Sequence, residues 1–354
     1  PLALAALIWL IHLGQRSGEG ERGGSRLLGA ALLALAALGL VWSAGGRSVM
    51  AQLPESLRPV VLLMPLLVLG LGSALSLWQR RLWPFAVATS LVALYVADGR
   101  HLPLDIEFQD RSFFGVVRVF HSERGERMIM HGTTIHGSEW VEGPLTGRAG
   151  MYYHREGVLA GLAQLLPAGG RMAMVGLGSG AMAGYLKSGQ ELVCFEIDPL
   201  VARVAQERFG FIDASEGEVT MRMGDGRLSL QRDPDGRPFD LILIDAFSSD
   251  AIPTHLLTKE AVAIYAARLS DGGALAFHIS NQFFDLEPVI AAAGRDLGLH
   301  GLRADWDPDA RQRREGAAKH RVVILSLDGA SASEWTRRFS GRPLRPAPRP
   351  WTED

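Results

Sequence analysis

One cysteine, Cys194, stands in 354 residues. A single thiol excludes an internal disulfide and any zinc site built from cysteine pairs. Set inside an apolar run, it reads as a buried structural thiol. Histidines with metal-ligand spacing are absent as well, so no metal is expected. The chain also lacks a charge excess: 36 Lys and Arg face 38 Asp and Glu, for a net charge of −2. Its one basic block is Arg311 to Arg314, which excludes a nucleic-acid partner on charge grounds. No internal repeat is visible.

Residues 1–98 lack ionisable side chains except in short Arg-bearing pieces. Arg26 to Ala44, Pro59 to Trp78 and Leu82 to Ala97 run about eighteen, twenty and sixteen residues without an internal charge, close to the roughly 17–25 that cross a bilayer. Trp42, Trp78 and Trp83 lie at their edges as interface anchors. Leu2 to Leu13 is apolar but shorter, and the chain opens on Pro1, so this piece reads as the remainder of a truncated or processed helix. The expectation is a transmembrane domain over 1–98 with three to four spans, the lipid bilayer being one partner. Its Ala and Gly content would allow close helix packing and a homo-oligomer. Arginine counts in the loops place the remainder outside, whereas the chemistry argued below places it in the cytoplasm. The cytoplasmic side is preferred.

After this comes a connector and small antiparallel region over 99–150. Ser112 to Phe120 alternates as a strand, and Glu126 to Met130 and Thr133 to His136 supply two more. Met151 to Leu166 reads as a helix. Strands near 171–176, 191–197, 217–222, 239–245 and 272–279 then alternate with helices near 180–187, 199–209, 256–268 and 284–297. Leu302 to Ala304 and Arg321 to Leu327 add two strands, with 310–320 an exposed loop. The expected fold is therefore α/β. N-terminal transmembrane helices and a β-hairpin region precede a Rossmann-like, doubly wound, mostly parallel seven-stranded sheet over 151–330. Residues 331–354 form a helix and a Pro/Arg-rich irregular tail.

Four strand-end signals follow in order. Gly176-Leu177-Gly178-Ser179-Gly180 is a glycine turn between a strand and a helix. Glu196-Ile197-Asp198 ends the second strand in acid, about twenty residues on. Asp225-Gly226 follows the third strand, and Asp245-Ala246 ends the fourth. Glycines at the first turn let backbone approach a ligand, and an acid after the second strand accepts from ribose hydroxyls. A nucleoside-binding domain follows.

With Met130-His131-Gly132, Tyr153-His154 and Asp245-Ala246-Phe247-Ser248-Ser249-Asp250, these motifs make residues 112–329 resemble the spermidine synthase family of polyamine aminopropyltransferases, on the class I S-adenosylmethionine methyltransferase-like fold. The whole chain resembles the membrane-integral bacterial proteins of that kind, which implies a bacterial inner membrane. The resemblance implies that Glu196 holds the ribose, Asp225 accepts from the adenine amino group and Asp245 sits at the reacting centre with Tyr153 and His154. Gly176, Gly178, Ser179, Gly180, Ile197, Gly226 and Ala246 would line the ligand. His154 is read equally as an orienting group or a helix cap, and His136 stands where the family has a glutamine. His278, with Ser280 and Asn281, ends the fifth strand and either shapes the pocket or bonds the strand end. Asp198 caps a helix. His255 and Lys259 read as surface residues.

Departures from the family pattern are informative. The acid pair before the tyrosine is replaced by Ala149 and Gly150, and two inserted residues displace Asp250 relative to Asp245. A buried charge without its partner costs about 3–5 kcal/mol, so a dicationic acceptor is poorly provided for. Arg148 and Arg155 flank the same stretch and suit a carboxylate, which intact S-adenosylmethionine carries. The substrate is thus S-adenosylmethionine or its decarboxylated form. The favoured expectation is a lyase: attack of the α-carboxylate on the γ carbon would release 5′-methylthioadenosine and homoserine lactone, with the effective molarity of an intramolecular reaction. Aminopropyl transfer to an amine is the first alternative, then a methyltransferase, then a non-catalytic sensor.

Overall fold

A computed structural model describes residues 105–353 apart from 133, 248–251, 282–283 and 346, together with isolated positions between 70 and 92. The described unit opens on a four-stranded antiparallel sheet in the order β1-β2-β3-β4: β1 (Asp105–Ser112), β2 (Gly115–His121), β3 (Glu126–His131) and β4 (Thr134–Trp140). Three strands were expected. The extra one, β1, is a mostly exposed edge whose apolar alternation is confined to Ile106 and Phe108 before the polar run Gln109 to Ser112, too short a pattern for periodicity to reveal it. Ladder pairing to β2 and the ion pairs of Glu107 with Arg127 and Arg208 hold it.

Alternation then proceeds through α1 (Val158–Gln164), β5 (Arg171–Val175), a 3₁₀ turn (Ala181–Tyr185), β6 (Glu191–Glu196), α2 (Pro199–Arg208), β7 (Glu218–Met223), α3 (Gly226–Gln231) and β8 (Phe239–Ile244). It continues through α4 (Lys259–Ala266), β9 (Leu269–His278), α5 (Glu287–Asp296), β10 (His300–Trp306), α6 (Ala310–Arg314), β11 (His320–Ser326), α7 (Gly329–Arg338) and β12 (Arg342–Pro343). The sheet order is β12-β10-β11-β9-β8-β5-β6-β7. Strands β7, β6, β5, β8 and β9 run parallel, while β11, β10 and β12 join by antiparallel pairings.

Successive residues of β5 divide the interior in two. Met172 and Met174 face a core with α1, α2, Leu192 and Cys194, joined by Val117, Val119 and Ile129 of the small sheet. Ala173 and Val175 face the opposite core with Val193, Phe195, α4 and α5. Near-continuous apolar strands are what burial on both faces of a parallel sheet requires. Cys194 is fully buried, and burial, then the nearby Glu196, pushes its thiol up to about 12.

The expected fold class needs correction in several places. The sheet has eight strands because Arg342–Pro343, within the tail expected to be irregular, pairs with Leu302 and Arg303 of β10, and it is mixed because β11 and β10 run antiparallel to their neighbours. The helix expected over Met151–Leu166 starts only at Val158, and residues 310–320 contain α6, capped by Asp309. Among the described residues no helix is long and apolar enough to cross a membrane. Uncharged runs of about bilayer length with tryptophans at their edges suggested the spans, and crossing takes one continuous apolar helix of about 20 residues. The expected segments at 26–44, 59–78 and 82–97 lie outside the described residues but for isolated positions, so among the described residues no helix supports the integral-membrane fold or the inner-membrane localisation.

Candidate active site

The strand ends of β5, β6, β7 and β8 carry the four expected signals to one edge of the sheet. Two glycines are required by geometry. Gly176 has φ +90°, and a Cβ there would lie 2.5 Å from the Asp245 carbonyl oxygen. Gly178 has φ +57°, and its Cβ would lie 2.5 Å from the carbonyl oxygen of His136, so the small sheet packs directly on the turn. Ser179 is fully buried beside Gly137, and its hydroxyl has no hydrogen-bond partner among the described residues. Gly180, with φ +79°, leads into the 3₁₀ turn.

Glu196 ends β6 with both oxygens engaged: Leu177 N–H donates to Oε2 at 2.9 Å and Asp198 N–H to Oε1 at 2.8 Å. Burial raises its pKa above the usual carboxylate value despite these amides, making it a weaker acid. Asp198 is confirmed as the cap of α2, accepting from Leu200 N–H. Asp225 caps α3 through Leu228 N–H, and His255, expected as a surface residue, reaches its second oxygen at 2.9 Å. Around this acid Ile197, Met223 and Leu228 are each close to half exposed, an apolar setting suited to a planar base. Gly226 opens α3 directly against Val175.

Asp245 follows β8 and is buried between two donors. Tyr153 Oη–H donates to Oδ2, and His278 Nδ1 lies 2.8 Å from Oδ1. Burial pushes the carboxyl up, but the His278 charge and hydrogen bond, the Tyr153 bond and His136 outweigh it and hold Asp245 below the usual carboxylate range. Burial and then the Asp245 charge push Tyr153 well above the usual phenol range, so it stays protonated and donates. Ala246 packs beneath with Phe247, whose ring meets His278 edge-on, and Tyr152 lies 4.8 Å from the same imidazole.

Other expected residues fall elsewhere. His154 is buried with its Nε2 3.2 Å from Glu315 and its ring stacked on Trp306, so it braces the turn before α1 and does not meet Asp245. Arg148 and Arg155 line a cavity of about 170 Å³ with Trp140, Tyr185 and Phe211, one that Asp245, Glu196 and Asp225 do not line. An acid at position 150 has no room: a Cβ there would overlap the Ser138 hydroxyl and sit 3.2 Å from Glu126 Oε1. Glu126 itself is fully buried and paired to Arg124 at 2.7 Å. His278 is the residue whose direct role composition and motif missed. The sequence signal was its place at the end of the fifth strand; its contact with Asp245 comes from strand order, since β8 and β9 pair in parallel with Ile244 opposite Phe277, which makes Asp245 and His278 neighbours.

No family model matches the chain. A polyamine aminopropyltransferase of Vibrio vulnificus is 30% identical over 234 residues, covering 64% of this chain and 68% of that protein. An N-terminal histidine N-methyltransferase of Emericella nidulans is 33% identical over 155 residues, covering 43% of this chain and 26% of that protein. Among solved structures, a probable spermidine synthase from Corynebacterium glutamicum gives a TM-score of 0.49 at 17% identity, covering 67% of this chain and 88% of that one. The spermidine synthase of Thermotoga maritima gives 0.47 at 15% identity, covering 70% and 81%.

Proposed function

The chain belongs to the polyamine aminopropyltransferase family, and we propose that it transfers the aminopropyl group of decarboxylated S-adenosylmethionine to an amine. This inverts the order expected from the sequence, which placed a lyase first. The observation that carries the reading is the relation to the Vibrio vulnificus enzyme over 234 residues, joined to a buried carboxylate, Asp245, at the strand ends. The lyase argument leaned on Arg148 and Arg155 as partners of a substrate carboxylate, and the cavity they line is not lined by Asp245.

In the reaction the amine nitrogen attacks the carbon bonded to sulfur. The carbon–sulfur pair leaves with sulfur, giving neutral 5′-methylthioadenosine, and the new ammonium sheds a proton. Positive charge moves from sulfur to nitrogen, so a carboxylate beside the nitrogen stabilises the transition state more than the ground state. Asp245 fills that role, and Tyr153 and His278 hold its orientation. Glu196 and Asp225 hold the nucleoside. The acceptor ammonium finds no acid at positions 149 and 150, so a diamine is gripped through a different contact than in the family pattern.

The test is product analysis by mass spectrometry with two substrates. Decarboxylated S-adenosylmethionine with putrescine or another amine is expected to give methylthioadenosine and the aminopropylated amine, saturably in the amine. Methylthioadenosine and homoserine lactone from S-adenosylmethionine alone would instead restore the lyase.

A further inference from the structure

Three hydrogen bonds beneath Asp245 form a chain with a set direction. The backbone N–H of Arg321 donates to Ser280 Oγ at 2.8 Å. It fills one lone pair of Ser280 Oγ, and an ionised Asp245 can only accept, so the arrangement that satisfies every group puts a hydrogen on Nδ1 and turns the Ser280 hydroxyl hydrogen to His278 Nε2, 2.9 Å away. With Nε2 accepting, a neutral imidazole carries its hydrogen on Nδ1, the atom 2.8 Å from Asp245 Oδ1. If the ring gains a second proton, Nδ1 still carries one. The donor facing Asp245 is therefore present in either charge state. Strand pairing holds the parts in register: Val322 of β11 lies opposite His278, and Ile279 N–H donates to the Arg321 carbonyl at 2.9 Å.

We propose that His278 is a positioning residue, locked by Ser280 and the Arg321 amide as an Nδ1 donor that keeps the Asp245 carboxylate ionised and aimed at the sulfonium and the attacking amine. The inference rests on the aminopropyl-transfer reading only for the identity of the cation. Its physical need is plain. Asp245 is buried, and burial by itself favours the neutral acid. A neutral acid would neither attract a sulfonium nor steady a developing ammonium. Tyr153 supplies the other donor, but a phenol rotates about its C–O bond, whereas the imidazole is clamped at both nitrogens. Besides His278, the groups facing this carboxylate are Tyr153 and His136; Tyr152 packs on the His278 ring, and His320 lies beyond it at a ring separation of 6.1 Å. Burial, then His278, pushes His320 down to about 3, so it stays neutral.

The test compares wild type, His278→Leu and His278→Asn, the last because its amide N–H falls near the Nδ1 position. Calorimetry measures the affinity of decarboxylated S-adenosylmethionine relative to methylthioadenosine, a cation and its uncharged thioether product, at about pH 8 and about pH 6. His136 is common to all three proteins and cancels. The wild-type ratio is expected to hold within about twofold across this range, and the Leu variant's to fall roughly fivefold or more as Asp245 takes up a proton. The Asn variant is expected to stay within about threefold of wild type, which a purely structural loss would not produce. Nitrogen-15 spectra of histidine-labelled protein should show His278 protonated at Nδ1. A ratio in the Leu variant that tracks wild type, or an Nε2-only tautomer, overturns the proposal. Amine-dependent turnover is measured on the same wild-type sample, and its absence would sink the transfer reading while leaving the binding ratio and the tautomer to decide on His278.

Discussion

Replacing Asp245 by Asn isolates the charge at the reacting centre, because the two side chains share shape. The carboxylate accepts from His278 on one oxygen and from Tyr153 on the other. Asparagine offers one oxygen and one amide nitrogen, so one of the two donors then faces an N–H₂. A buried donor left without an acceptor costs about 1–3 kcal/mol, which thermal denaturation will register as a modest loss of stability. The chemical loss is separate. A unit charge pair about 4 Å apart at an effective dielectric near 20 is worth roughly 4 kcal/mol, and only the part that differs between ground and transition states enters kcat. We expect turnover to fall roughly 10²-fold or more, about 2.7 kcal/mol, while methylthioadenosine, which carries no charge for Asp245 to meet, binds within about tenfold of wild type. The assay is methylthioadenosine release in the presence of amine, with calorimetry on the product alone. A folded variant whose kcat stays within about threefold of wild type would remove Asp245 from the chemistry and refute the argument.

Glu196→Ala is expected to weaken methylthioadenosine binding by about tenfold or more, because it frees the Leu177 and Asp198 amides and removes the ribose acceptor; wild-type affinity in calorimetry would contradict the assignment. Gly178→Ala places a Cβ 2.5 Å from the His136 carbonyl at φ +57°, so it should cost about 1–3 kcal/mol in denaturant unfolding and loosen the small sheet from the turn. His320, driven down to about 3 mainly by burial, accepts from Val158 N–H at the start of α1 and must stay neutral in the fold. Its stabilising contribution is whole above the ordinary histidine value of 6.5 and declines as pH falls toward about 3. Between about pH 7 and pH 5, wild type should therefore lose about 2 kcal/mol relative to His320→Gln, read from denaturant midpoints; parallel losses in the two proteins would show that the ring does not carry this linkage.

The parallel strands were legible because burial on both faces writes them as apolar runs such as Arg171–Val175 and Phe239–Ile244, each closed by a glycine turn or an acid. What was not legible has no such run. β1 is a polar edge strand, and the two-residue β12 carries no pattern at all; its pairing with β10 depends on a tail drawn in by Arg345, whose guanidinium binds Glu287 at 2.8 Å. The start of α1 was misplaced for a comparable reason. Met151 to Gly157 satisfies a helical reading of apolar positions, but Met151 pairs with Gly316 and Ala318 across the chain, contacts that periodicity cannot foresee.

The candidate site divides along the same line. Residues at a strand end whose contacts lie within their own turn or the next strand, such as Gly176, Gly178, Glu196 and Asp225, are set by local order, so their motif places them. Residues that act through a neighbouring element depend on which strands adjoin. Asp245 meets His278 only because β9 lies beside β8, and it meets Tyr153 only because the turn before α1 folds over the strand ends. His154, adjacent in sequence to Tyr153, points instead to Glu315 and Trp306, because consecutive residues of an irregular turn need not share a face. A tyrosine-histidine pair in the sequence thus carries one residue to the carboxylate and one away from it. The histidine that does reach Asp245 lies over a hundred residues later at the end of a strand, its ring held by Ser280 two residues on, whose hydroxyl accepts from the Arg321 amide of the neighbouring strand.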